Sequence, residues 1–330
     1  YEPGKVLSDE YAPVFPPQQS NISYGYYMGQ AAFFNTPTPG AENVFTGQVL
    51  SPIFSIERGY FDSPFTVSLT VADPAAKIYY TTDGTRPSES SSLYSSPVSI
   101  TTTTPLSAVC IKDGISSTII TNTYLFIKDI VNQPTNPAGY PDRWGHLNYG
   151  IGAYKAGEKA PADYEMDPEI CNHSDYKNLI EDAFLAIPTL SIVTNAGYIF
   201  SDSRDPDTGG IYIYTGDSGN PKDQGGNKLG DGWERPTSIE FFEPSTGKQF
   251  QINCGLRLPG GNSRKPYNTG KHSFRVHFKK QYGAGNLNYD LLDDETASDK
   301  FGHLIFRAGY NFSWVTNNDK ERAGAQYIID

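Results

Sequence analysis

The chain is interrupted every few residues by glycine or proline, 32 of the first and 24 of the second in 330 positions. Such residues end helices and weaken strand interiors, so the elements between them must be short. The intervening runs are rich in Val, Ile, Thr, Tyr and Phe, which suit a pleated, half-buried surface. The pattern predicts a mainly β protein with minor α content. It takes the form of an immunoglobulin-like β-sandwich followed by an antiparallel-sheet α+β module, in a chain long enough for two or three domains. A single stretch, residues 174–186, reads as a helix. Ser174 stands as its N-cap, Asp175 complements the helix dipole, Leu179, Ala183 and Phe184 share an apolar side, and Pro188 ends it.

The formal net charge is −11. This argues against a nucleic-acid partner, because neutralising phosphates requires an excess of Lys and Arg. The sequence has no apolar run long enough to span a bilayer, so no membrane insertion is expected, and an extracellular or cell-surface location is. The three cysteines, Cys110, Cys171 and Cys254, lack the spacing of a structural zinc site. They read as small buried hydrophobes, with a Cys171–Cys254 bridge left open. The sequence opens on Tyr1 rather than Met, which reads as a processed chain or a piece of a longer one.

Three segments emerge. Residues 1–49 are rich in Pro, Gly, Asn and Tyr without an amphipathic period, which predicts extended chain with turns and edge strands. The order FPPQQSNISYG … FFNTPTPGAEN resembles the last third of a lamin-tail-type β-domain. Residues 50–128 alternate apolar and polar positions through Phe65, Val67, Leu69 and Val71. A second strand follows over 77–82, then a tight turn at Asp83-Gly84 and further strands at 97–100 and 106–111. The run IYYTTDGTRPSESSSLYSSPVSITTTTPLSAV resembles the chitobiase/β-hexosaminidase C-terminal type of domain. That resemblance implies an accessory spacer rather than a catalytic centre. Residues 129–330 begin irregularly, pass through the predicted helix, and then predict strands at 189–193, 210–214, 237–242, 249–258, 273–278 and 304–307.

Candidate chemistry concentrates in residues 257–280. This window holds seven basic residues, Arg257, Arg264, Lys265, Lys271, Arg275, Lys279 and Lys280, and no Asp or Glu. At its centre Gly260, Gly261, Asn262 and Ser263 can bring backbone N–H groups close to an anion. The strand that follows places Phe274, Val276 and Phe278 on one face and Lys271, Ser273, Arg275 and His277 on the other. From pattern alone, both a solubilising basic edge strand and a nucleotide-phosphate site remain open.

Several motifs in order resemble the CotH kinase-like family over about residues 135–330. They include PADYEMDPEI, GWERPTSIEFFEPSTGKQFQINCGLRLPGGNSR, GKHSFRVHFKKQYGAGNLNYDLL and FGHLIFRAGYNFSW. The resemblance implies an atypical-kinase fold, ATP with Mg as cofactor, and Lys271 as the phosphate-pairing lysine. It also implies that Gly260, Gly261, Asn262, Ser263 and Arg264 form the loop beside the phosphates, with Arg275 in the same basic site. The family's metal-binding and catalytic aspartates fall after the segment matching residues 327–330, so no catalytic residue is assigned.

Asp205 and Asp207, in the run DPDTG, form a weak calcium candidate. They lack the spacing and final Glu of an EF-hand. Trp233-Glu234-Arg235 reads as packing plus an ion pair in a loop. The functional reading is a segment of a secreted modular cell-surface or filament protein with a structural or adhesive role, its partners being surface proteins or copies of itself. One alternative is the N-terminal portion of an extracellular ATP-dependent protein kinase. Another is a carbohydrate-binding accessory protein with glycan partners.

Overall fold

The computed structural model describes residues 23–27, 30–34, 38, 40–41, 49–71, 73–144, 160–162, 164–201, 209–211, 234–260, 272–292 and 296–308. It is mainly β with a few short helices. The first elements, β1 (Ser23–Tyr27) and β2 (Gln30–Phe34), form an antiparallel hairpin, as the turn-rich opening predicts.

A sandwich follows. Its strands are β3 (Ile53–Phe54), β4 (Gly59–Tyr60), β5 (Phe65–Val67), β6 (Leu69–Thr70), β7 (Lys77–Thr81), β8 (Ser92–Leu93), β9 (Val98–Ile100), β10 (Thr104–Lys112), β11 (Ile115–Ser116) and β12 (Ile120–Leu125). One sheet runs β4-β12-β10-β7-β8 with β11 paired to the end of β10. The pairs β3–β6 and β5–β9 lie across from it. Between them Val67, Leu69, Ile78, Val98, Ile100, Leu106, Ala108, Cys110 and Tyr124 are buried together. The alternation of β5 and β9 explains this, since every second residue turns inward.

Beyond the short helix α1 (Ile127–Val131) come β13 (Arg143–Trp144), β14 (Ala160–Pro161), α2 (Pro168–Cys171), α3 (Ile180–Ala186), β15 (Thr189–Val193) and α4 (Ala196–Phe200). The remaining strands are β16 (Arg235–Phe242), β17 (Gln249–Arg257), β18 (Phe274–His277), β19 (Leu287–Asn288), β20 (Lys300–Phe301) and β21 (His303–Phe306). An antiparallel five-stranded sheet runs β15-β16-β17-β18-β21. Five of the six strands predicted after the helix fall in this sheet, within two residues of their expected ends. The sixth, at 210–214, is not a strand where it is described, and its last three residues lie outside the described set.

The helix prediction is corrected. α3 begins at Ile180, and residues 174–179 form turns instead. Ser174 Oγ bonds the side chain of Asp175 rather than capping a helix. Ile180 is buried while Leu179, expected on the apolar side, is 56% exposed. The chain here turns on hydrogen bonds such as Tyr176 and Lys177 N–H to His173 O. All three cysteines are free; Cys110 and Cys254 are buried as expected, but Cys171 is only half-buried, and no bridge forms.

The sandwich and the five-stranded sheet touch through the predicted Asp83-Gly84 turn. Gly84 has φ +77°, and a Cβ there would lie 2.5 Å from the carbonyl oxygen of Thr194, just past β15. The turn needs glycine both for its conformation and for this close approach. Gly84→Ala is therefore expected to cost about 1–3 kcal/mol, read as a lower unfolding midpoint in urea, with Gly114→Ala, at similar φ but in open space, costing less.

Candidate functional site

The five-stranded sheet has two unlike faces, and the register separates them. On one face Ile192, Ile239, Ile252, Cys254, Leu256, Phe274, Val276, Leu304 and Phe306 pack together, joined by Phe278 and Leu287 and, from α4, by Ile199 and Phe200. The opposite face is mainly polar, although Val193, Pro236 and Ile305 also lie on it and Phe242 there packs on Tyr60 of the sandwich. Its successive rows are Ser191, Glu240 and Gln251, then Ser238 and Asn253, then Gly255, His277 and His303, then Arg257 and Arg275.

The first of these rows meet the sandwich. Glu240 is fully buried and accepts hydrogen bonds from three groups of the sandwich: Arg58 Nε at 2.9 Å, the Thr123 N–H at 2.9 Å, and the Thr123 hydroxyl. Arg58 also donates to Gln249 Oε1 at 3.1 Å, Tyr60 OH meets Thr189 Oγ1 at 2.7 Å, and Asn253 Nδ2 donates to the Ile119 carbonyl at 2.9 Å. Burial pushes the Glu240 carboxyl above the ordinary carboxylate range, against the pull of Thr123 and Arg58. A cavity of about 330 Å³ remains where the sandwich meets the sheet, walled by Arg86, Ser117 and Ile119 on one side and Asn253, Gln281 and Tyr282 on the other.

The later rows hold an ionic cluster. Glu234, just before β16, lays its carboxylate over Gly255, where a Cβ would sit 2.5 Å from Oε1. It accepts from Arg257 Nε at 2.6 Å, Lys279 Nζ at 3.0 Å and Tyr282 OH at 2.8 Å. Its side chain is fully buried, while Arg257 and Lys279 keep about a quarter to a third of theirs exposed. Burial works to raise its pKa, but the hydrogen bonds from Tyr282, Lys279 and Arg257, with the charge of Arg257, hold it below the ordinary value. Of the run Trp233-Glu234-Arg235, Trp233 lies outside the described residues, Glu234 precedes β16 and pairs with Arg257 and Lys279, and Arg235 is not in a loop but opens β16. Arg235 is buried on the apolar side, donating to the Gly209 carbonyl at 2.9 Å through Nε.

The sequence candidates divide. Gly260 lies just beyond β17, exposed and at φ +99°. Arg275 lies in β18. Lys271, Gly261, Asn262, Ser263 and Arg264 lie outside the described residues, as do Asp205 and Asp207. Among the described residues, no group of three or more His, Cys, Asp or Glu is placed to hold a metal. The predicted alternation of β18 holds, with Val276 and Phe278 buried, but its polar side is not a solvated edge: Arg275 and His277 are half-buried. They are covered because β18 is an inner strand between β17 and β21. The structural roles of Glu234 and Glu240 were not legible, since carboxylates on alternate strand positions read as solvent-facing.

Residues 56–122, the heart of the sandwich, match the family model described as chitobiase/β-hexosaminidase C-terminal domain. The sandwich is a domain of this type. Such domains are typical of extracellular carbohydrate-active modular proteins. An endoglucanase of Clostridium saccharobutylicum is 50% identical over 46 residues, which is 14% of this chain and 10% of that protein. The chain therefore covers about a tenth of the length of this curated relative. No described helix is long and apolar enough to cross a membrane.

Glu234→Gln is expected to destabilise the protein by about 1–3 kcal/mol at neutral pH, because it leaves two cations short of a carboxylate. The folded pKa of Glu234 is depressed, so its contribution is present above the ordinary value of 4.5 and is lost as pH falls through the lower, folded value. Urea unfolding of both proteins from pH 7 down to pH 3 checks this: the gap between them should narrow only on the acid side.

Proposed function

We propose that the chain is a segment of a secreted modular cell-surface protein with a structural or adhesive role, and that the chitobiase-type sandwich is a bracket that fixes the module after it. The observation that carries this reading is the clamp at Glu240. A spacer that only separated its neighbours would not bury a carboxylate of the next module against its own Arg58 and Thr123. In this reading the domains run over 1–49, 50–128 and 129–330.

The hairpin of β1 and β2 supports the first as the end of a lamin-tail-type β-domain. The antiparallel five-stranded sheet, with strands where the motifs fall, supports the third as a CotH kinase-like module. The domain match supports an extracellular location.

A carbohydrate-binding role is the second reading, favoured by the similarity to an endoglucanase. Against it, the sandwich aromatics Phe61, Phe65, Tyr124 and Phe126 pack on one another inside the domain, with ring centroids 4.3–6.5 Å apart. They do not form a row for stacking sugars.

Differential scanning calorimetry tests the bracket. The wild type is expected to show one cooperative transition for the sandwich and the five-stranded sheet. Glu240→Ala leaves Arg58 buried without its carboxylate, should cost about 3–5 kcal/mol, and should split the transition in two. Two independent transitions in the wild type would overturn the bracket, and binding to insoluble polysaccharide by the sandwich would favour the second reading.

A further inference from the structure

The cavity of about 330 Å³ between the sandwich and the sheet lies beside the docking contacts. Small-molecule sites typically enclose about 300–1,000 Å³ and favour the boundary between packed units. Both partners build this one. The sandwich supplies Arg86 and the turn at residues 116–118, and the sheet side supplies Asn253, Gln281 and Tyr282. Val109 and Pro87, both buried, give it an apolar wall. Among the described residues the lining holds no Asp or Glu, and Arg86 is its one charged side chain.

The turn that carries Arg86 is fixed without using it. The Asp83 carboxylate accepts from the Thr85 N–H at 3.0 Å and from the Thr85 hydroxyl, and Gly84 lies against the Thr194 carbonyl. Asp83 is thus engaged elsewhere. Among the described residues Arg86 makes neither an ion pair nor a hydrogen bond, and it stands exposed at the rim. Across the cavity Asn253 is held by its Nδ2, which donates to the Ile119 carbonyl at 2.9 Å, and by its Oδ1, which accepts from Gln251 Nε2 at 3.1 Å. A side-chain amide has two donor hydrogens and two acceptor lone pairs, so one of each remains. The exposed hydroxyls of Ser116 and Thr118 are likewise without a partner among the described residues.

We propose that this cavity binds one unit of an acidic sugar, a pyranose ring that carries a carboxylate. The guanidinium fork of Arg86 meets the two carboxylate oxygens. The ring hydroxyls exchange hydrogen bonds with Asn253, Gln281, Ser116 and Thr118, and a C–H face of the ring rests on Val109 and Pro87. The charge match selects the carboxylate. One guanidinium neutralises one negative charge, whereas a phosphate monoester brings about −1.5 to −2 into a lining with no second cation. A neutral sugar would leave Arg86 unpaired. The bound unit touches the sandwich and the sheet together, so the proposal rests on the bracket reading, in which the two are docked.

The test is titration calorimetry of the whole 330-residue chain with sodium glucuronate and sodium galacturonate, against glucose as the neutral ring and sodium acetate as the ringless carboxylate. At least one uronate should bind about tenfold or more tightly than either control and raise the melting temperature. Arg86→Gln should bring uronate binding down to the glucose level while melting as the wild type does, since the side chain is exposed. Gln281→Ala, at an exposed position on the sheet side, should weaken binding several-fold. The proposal falls if neither uronate outperforms both controls, or if Arg86→Gln keeps the affinity. It also falls if Gln281→Ala binds as the wild type does, which would put the sugar on the sandwich alone. Calorimetric melting separates the site from the bracket. A chain that melts in one transition yet binds no uronate overturns the site and leaves the bracket standing, whereas two independent transitions overturn both.

Discussion

A carboxylate with no exposure to water must find its hydrogen bonds in protein, and Glu240 finds them across a boundary. It is part of β16, yet the groups that satisfy it, Arg58 and Thr123, belong to the sandwich. The dependence runs both ways. Arg58 keeps 9% of its side chain exposed and needs an acidic partner, and Glu240 is that partner. Docking of the sandwich on the sheet is therefore specified by polar complementarity. An apolar contact could slide, whereas a buried ion pair with fixed donors holds one register.

The rest of the sheet follows from having that face occupied. The apolar face builds its own core from Ile239, Ile252, Leu256 and Val276. The opposite face is split along its length. Rows nearest β15 dock on the sandwich, and rows on β17, β18 and β21 carry Arg257, Arg275, His277 and His303. Glu234 sits at the division, its carboxylate over Gly255, which has no side chain to obstruct it. Tyr282 joins the halves, since it bonds Glu234 and also walls the cavity beside the sandwich. One face of one sheet thus serves two purposes, attachment and charge display.

Most strands were legible because their signal is local. In β17 apolar residues recur at every second position, Phe250, Ile252, Cys254 and Leu256, while burial runs through both faces. The Asp83-Gly84 turn was legible for the same reason, as was the domain type of residues 56–122. The helix was misjudged because Ser174, Leu179 and Ala183 have the right spacing, while side-chain bonds at Ser174 and backbone turns on His173 hold residues 174–179 out of the helix. The site was half legible. The basic window stood out by charge, and β18 alternates as expected. That Arg275 and His277 would be half-buried depended on β21 pairing outside β18, a contact between segments far apart in sequence. Glu240 and Arg58 are separated by 182 positions, and nothing local marks either as the other's partner.

Native-state hydrogen exchange at the Thr123 amide tests the central claim most directly. This N–H lies in β12 but donates to Glu240 of the other sheet. If docking of the two sheets is part of one cooperative fold, Thr123 should exchange as slowly as core amides such as Val109 and Ile239, through global unfolding. Rapid exchange at Thr123 while those two remain protected would mean that the sandwich and the sheet open from each other freely, and would contradict the account.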